Sequence, residues 1–211
     1  MNSCRLVEVS LLERLTSRFN LRKVSLTKGI LSYADAGKIE VGIVRLERES
    51  DTDDPIILEI DTRDGSNDIG SRMAVDHLRD VIKDSRVGVW GYVKGSCKLS
   101  AMYLLQSCAV RLAVPEATLQ FHDMRRVLIL DVFREDDPAI LTNMVEKLIY
   151  HAGVEVTAER FNIARMYQAR MPKLSIYRIL EMMRDEVELS AEQALEHGVI
   201  DIVAPVPPAV H

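Results

Sequence analysis

Apolar residues along the chain keep two different rhythms. Short, mostly apolar runs rich in β-branched side chains alternate with longer stretches in which apolar positions recur every three or four residues. The short runs predict strands. Val24 to Leu26 begins one that stops at Gly29. Pro55 to Asp61 (PIILEID) is apolar on both faces, as in a buried parallel strand. Val87 to Val93 is a third run, and Arg111 to Phe121 is a further extended stretch broken by Pro115. Val127 to Val132 and Val199 to Val203 complete the set.

The longer rhythm predicts helices. Val7, Leu11, Leu12, Leu15 and Phe19 form one apolar stripe, suited to docking on the domain or on a neighbouring subunit, or to a pore or partner-contact element. Gly37 to Arg48 fits both rhythms: Ile39, Val41 and Ile43 alternate, while Ile39, Ile43 and Leu46 share a helical face. Helix is preferred, with Gly42 against it. Ala74, Val75, Leu78, Val81 and Ile82 predict the next helix, capped by Asp68. Ser100 to Cys108 is apolar on nearly every side, so a helix there is buried. Asp137-Pro138 starts a helix with Ile140, Leu141, Met144, Val145, Leu148 and Ile149 on its apolar face, ended by Gly153. Thr157 to Met171 and Ser175 to Met183 follow, separated by Pro172. Ser190 and Gln193 fit a capping box, and Gly198 closes that helix.

Strand, polar loop, helix, strand is a βαβ unit with a right-handed crossover. In such sheets the sites lie at the carboxyl ends of the strands. Two turn-rich segments fall there: Thr62 to Gly70 (TRDGSNDIG) and Gly95 to Ser100.

Composition narrows the function classes. A chain of 211 residues with 47% apolar and 28% charged residues makes one domain with a full core. A net charge of −5 advertises no nucleic-acid surface. No run has the length of a membrane helix, and the first residues lack the apolar core of a secretory signal. Cys4, Cys97 and Cys108 have no metal-type spacing and read as reduced thiols of a cytoplasmic protein. Four arginines against two acids in Met1 to Arg22 leave an organellar address open. No cofactor or metal is expected.

The turn at Gly95 to Ser100 carries the candidate chemistry. A strand that feeds a helix through a sharp turn can present a nucleophile beside backbone N–H donors. Ser100 offers a hydroxyl there, although a serine at a helix start also serves as a cap. Cys97 offers a thiol, which reacts only if a base or helix end lowers its pKa.

Three blocks together resemble the Clp proteolytic subunit (ClpP) family of the ClpP/crotonase superfamily. They are PIILEIDTRDGSNDIG, GSCKLSAMYLLQSCAVRLAVPEATLQFHD and RDEVELSAEQALEHGVID, with RKVSLTKGI as a fourth, shorter likeness. The resemblance covers roughly residues 20–203. It implies an α/β fold, a spiral of ββα units with a protruding helical region over about 124–184. The domain runs over 22–204, after an N-terminal segment (1–21) and before a loose tail (205–211).

By the resemblance, Ser100 is the displaced nucleophile, His122 the general base, and Glu186, with Asp185 beside it, the acid that orients His122. The N–H groups of Gly65 and Ser100 form the oxyanion hole. The sequence also departs from the family. The family's serine stands four residues after the turn glycine, and Leu99 occupies that place. Arg63-Asp64 replaces a Pro-Gly pair, and Asp123-Met124 replaces Gln-Pro. His122 and Glu186 are 64 positions apart (186 − 122), longer than usual by about four helical turns. The function implied is a Clp-type serine peptidase subunit, in a homo-oligomer or mixed ring with ClpP-type subunits, taking peptides from a Clp-type ATPase. Two alternatives stand: a catalytically inactive ClpP-like ring subunit, favoured by Leu99 and Asp64, and a crotonase-type acyl-CoA enzyme, which needs no serine.

Overall fold

The computed structural model describes residues 22–27, 33–49, 54–62, 69–123 and 138–204. The segment before residue 22, Asp64, Gly65, the Asp68 cap, the Val127 to Val132 run and the tail from 205 lie outside the described residues. In chain order the elements are β1 (Lys23–Leu26), α1 (Tyr33–Arg48), β2 (Ile56–Ile60), α2 (Ile69–Asp84), β3 (Val89–Val93), β4 (Ser96–Cys97), α3 (Ser100–Leu105), β5 (Val110–Ala113), β6 (Thr118–Gln120), α4 (Pro138–Arg170), α5 (Ile176–Arg184), β7 (Glu188–Ser190), α6 (Ala191–His197) and β8 (Ile202–Val203).

Five strands form one parallel sheet in the order β1-β2-β3-β5-β8. A smaller sheet, β4-β6-β7, pairs β4 with β6 parallel and β6 with β7 antiparallel. Strand, crossing strand, helix recurs as β3-β4-α3 and again as β5-β6 followed by α4. This is the α/β class with ββα units. Among the described residues no helix is long and apolar enough to cross a membrane.

The periodicities explain the elements. On β2, Ile56, Ile57, Leu58 and Ile60 are all buried, as a central strand covered on both faces requires. Segment 37–48 is helical: Ala36, Ile39, Ile43 and Leu46 are buried, whereas Val41, which the strand rhythm wants inside, is 67% exposed. Every residue of α3 is buried. Its close seat on the sheet depends on Gly91, where a Cβ would come within 2.6 Å of Leu105 Cδ1 and 3.1 Å of Cys108 Sγ.

The region 138–170 corrects the sequence expectation. It is one helix of 33 residues, about 50 Å long by helical rise, and runs straight through Gly153. A helical glycine costs only about 1 kcal/mol, too little by itself to stop a helix whose second half is docked on the domain. Its second half docks through Ile163, Ala164 and Tyr167. Of the apolar face expected in its first half, Met144, Leu148 and Ile149 are exposed and Val145 is half-buried, while the side chains of Ile140 and Leu141 lie outside the description.

The C-terminal unit follows local signals. Ser175 Oγ accepts the Arg178 N–H at 3.2 Å. Ser190 and Gln193 form the capping box of α6, and Gly198 closes it at φ 76°. β8 is shorter than expected, because the Val199 and Ile200 N–H groups turn back onto Ala194 O.

Candidate functional site

β3 ends at Val93, and the chain turns through Gly95 into β4. The tightness of this turn has a steric cause: a side-chain carbon on Gly95 would collide with the Asp61 carboxylate. That carboxylate accepts the Ser96 N–H at 3.0 Å. Buried Thr62 donates its N–H to Ser96 O at 2.6 Å, and its Oγ1 accepts the Lys98 N–H at 3.4 Å. The end of β2 therefore clamps the turn after β3.

Leu99 follows, with φ 54° and ψ −126°. This backbone is strained for any residue with a Cβ. It lets the strand run directly into α3. Leu99 is also the N-cap of α3, and no side chain caps that end. Ser100 is the first residue inside the helix rather than its cap. Its Oγ is fully buried and has no hydrogen-bond partner among the described residues. The Ser100 hydroxyl is thus not hydrogen-bonded to His122.

His122 and Glu186 are brought together. The antiparallel register sets Thr118 against Ser190, Leu119 against Leu189 and Gln120 against Glu188. The Phe121 N–H continues it to Val187 O at 2.9 Å. One further step puts His122 opposite Glu186, and their side chains meet, Nδ1 to Oε1, at 3.2 Å. A proton held on Nδ1 by this contact leaves Nε2 as the acceptor that a general base needs. Asp185, its neighbour, turns to Arg184 at 2.8 Å, which holds its carboxyl below the usual range. Glu186 is the acid that reaches the imidazole.

The smaller sheet brings elbow and imidazole to the same region, since Ser96 and Cys97 pair with Thr118 and Leu119. Lys98 Nζ adds an ion pair to Glu188 Oε2 at 3.0 Å, tying the residue before the elbow to β7. Behind them, Tyr167 of α4 stacks on Tyr103 (5.8 Å) and meets Phe121 edge-on (5.2 Å). Cys97 is enclosed, and burial first, then Cys108, pushes its thiol well above the ordinary range. It stays protonated at neutral pH and is no nucleophile.

His122 and Glu186 are therefore in contact, the turn before α3 is strained, and the residue that carries the strain, Leu99, has an alkyl side chain. Sequence reasoning missed the clamp of Asp61 and Thr62 and the Lys98–Glu188 tie. The position of Asp61 and Thr62 just past a buried strand was the available signal.

Neither a protein-family profile nor a curated protein sequence matches the chain. Among solved structures it is similar to a point mutant of ClpP1 from Listeria monocytogenes, with a TM-score of 0.69 at 18% identity, covering 93% of this chain and 96% of that one. At that identity the likeness speaks for architecture alone, and the chain has a ClpP-like fold.

Proposed function

We propose that the chain is a ClpP-like subunit that enters an oligomer, with its own kind or in a mixed ring with competent subunits, without cleaving peptides by serine chemistry. The observation that carries this reading is the elbow: Leu99 holds the strained position, and the adjacent hydroxyl, on Ser100, is sealed without a partner. Acyl transfer needs a hydroxyl within reach of its base, and an error of about 1 Å already costs about 100-fold in rate. The exposed Met144, Leu148, Ile149 and Val154 on the first half of α4 support the oligomeric part, since an apolar face left open by its own chain suits contact with another subunit.

The His122–Glu186 contact favours a second reading, a Clp-type peptidase served by a Clp-type ATPase. There Ser100 turns out of the core to attack the peptide carbonyl, and His122 takes its proton. Glu186 steadies the imidazolium, and the N–H groups of Gly65 and Ser100 hold the oxyanion. A fluorophosphonate probe with adduct mapping, run beside native mass measurement, separates the two. An assembled oligomer without adduct supports the first reading, and an adduct on Ser100 replaces it with the second.

A further inference from the structure

At the other end of the large sheet lies a cluster that the elbow does not use. Arg111 stands near the start of β5 and Asp201 just before β8, whereas the elbow follows the end of the parallel strand β3. Arg111 is only 4% exposed. Its Nε and Nη2 donate to Asp201 Oδ2 and Oδ1 at 3.0 and 2.6 Å, its N–H donates to Oδ2 at 2.8 Å, and Nη1 donates to Gln106 Oε1 at 2.6 Å. Gln106 is fixed in turn by donating to Val199 O at 3.1 Å. Both carboxylate oxygens of Asp201 are thus committed to Arg111.

A second guanidinium stands beside this pair. Arg170, the last residue of α4, gives Nη2 to Cys108 O at 2.8 Å and to Ala109 O at 3.5 Å. Its Nε is buried without an acceptor among the described residues. Burial first, and then the positive charge of Arg111, holds its pKa below the ordinary value, partly offset by Asp201. Two guanidiniums against one carboxylate leave one positive charge unmatched. Arg170 is half-buried, and an anion taken from solvent supplies the missing counter-charge there.

The cluster faces a concavity of about 540 Å³, with Val110, Pro172 and Ile202 on its apolar wall. We infer that this concavity takes a carboxylate monoanion with an apolar body, its oxygens on Arg170 beside Arg111 and its body against Val110, Pro172 and Ile202. A single unmatched charge selects a monoanion, since a phosphate dianion would add an excess negative charge beside Asp201. A peptide C-terminus and a free aliphatic acid share this chemistry. The site is independent of any role at His122.

Ligand-observed NMR titration of the full chain at low salt tests it, with acetyl-leucine, acetyl-leucine amide, hexanoate and inorganic phosphate as probes. The free acid saturates in the millimolar range, and the amide binds at least about tenfold more weakly, because it lacks the charge. Tighter acetyl-leucine than hexanoate assigns the source to a peptide terminus, and the reverse assigns it to an aliphatic acid. Arg170→Gln loses about tenfold or more, and Arg170→Lys falls between, keeping the charge without the planar fork. Equal binding of acid and amide, no effect of Arg170→Gln, or phosphate tighter than the acid overturns the inference. Should Arg170→Gln fail to fold, the acid–amide comparison on the natural chain decides.

Discussion

Ser100→Ala is expected to stabilise the protein. The hydroxyl is enclosed on the first turn of α3, 3% of the residue is exposed, and Oγ has no partner among the described residues. In the unfolded chain that group bonds to water, so folding leaves it uncompensated, at a cost of about 1–3 kcal/mol. Alanine removes that penalty and keeps the Cβ that packs in the core. Against this stands a void of one oxygen atom, whose lost dispersion contacts are worth about 0.5 kcal/mol. The net expectation is a gain of about 0.5–2.5 kcal/mol. For a domain of this length, Tm moves about 2–4 °C per kcal/mol, so a rise of roughly 1–10 °C follows. Urea unfolding at one fixed protomer concentration, with unchanged m-value, measures it. Destabilisation by more than about 0.5 kcal/mol would refute the reasoning, since a loss on that scale requires a hydrogen-bond partner for the hydroxyl.

Three further outcomes are expected. Leu99→Ser puts a hydroxyl on the strained elbow, and fluorophosphonate labelling should appear at residue 99, lost again when His122→Ala is added; no labelling of the single variant would separate His122 from the elbow. Gly95→Ala drives a methyl into the Asp61 carboxylate and should cost about 1–3 kcal/mol in urea unfolding, with little change counting against the clamp. Burial alone would raise the Asp201 carboxyl, but the hydrogen bonds and charge of Arg111 outweigh that and lower it. Its stabilising contribution is therefore complete above the ordinary carboxylate range and lost as pH falls below about 4 through the lower folded value. Asp201→Asn should flatten that acid limb and cost about 2 kcal/mol at neutral pH, less than a fully buried pair because Asp201 keeps 38% side-chain exposure. An unchanged acid limb would contradict this.

What the sequence discloses is what neighbouring residues decide. The capping box at Ser190 and Gln193, the apolar stripe of α2 and the buried run of β2 are set by residues within a few positions of one another. Leu99 is found by counting from Gly95. The helix over Gly37 to Arg48 is harder, because its apolar residues satisfy both periods until Val41 is seen outside. Gly153 misleads for a physical reason: it carries the residue type of a helix stop without the positive φ of one. Exposed Met144 and Leu148 carry the pattern of a core face, and pattern alone does not say whose core. The remaining contacts are long-range. Arg111 meets Asp201 across 90 positions and His122 meets Glu186 across 64, so only the strand register, or a resemblance, joins them.

The geometry around His122 does not depend on which side chain sits at residue 99. The ladder between β6 and β7 fixes His122 opposite Glu186 whatever stands on the elbow. The elbow in turn is braced through Asp61, Thr62 and the Lys98–Glu188 pair, none of which uses the side chain of residue 99. A φ of 54° at a leucine costs about 1–3 kcal/mol and persists only because these neighbours over-determine the turn. The hydroxyl of a serine could thus be exchanged for an alkyl group without loosening the site or the surface around it. The backbone of the turn and the contact between His122 and Glu186 are therefore set by residues other than 99, so the shape of this region does not require a hydroxyl there.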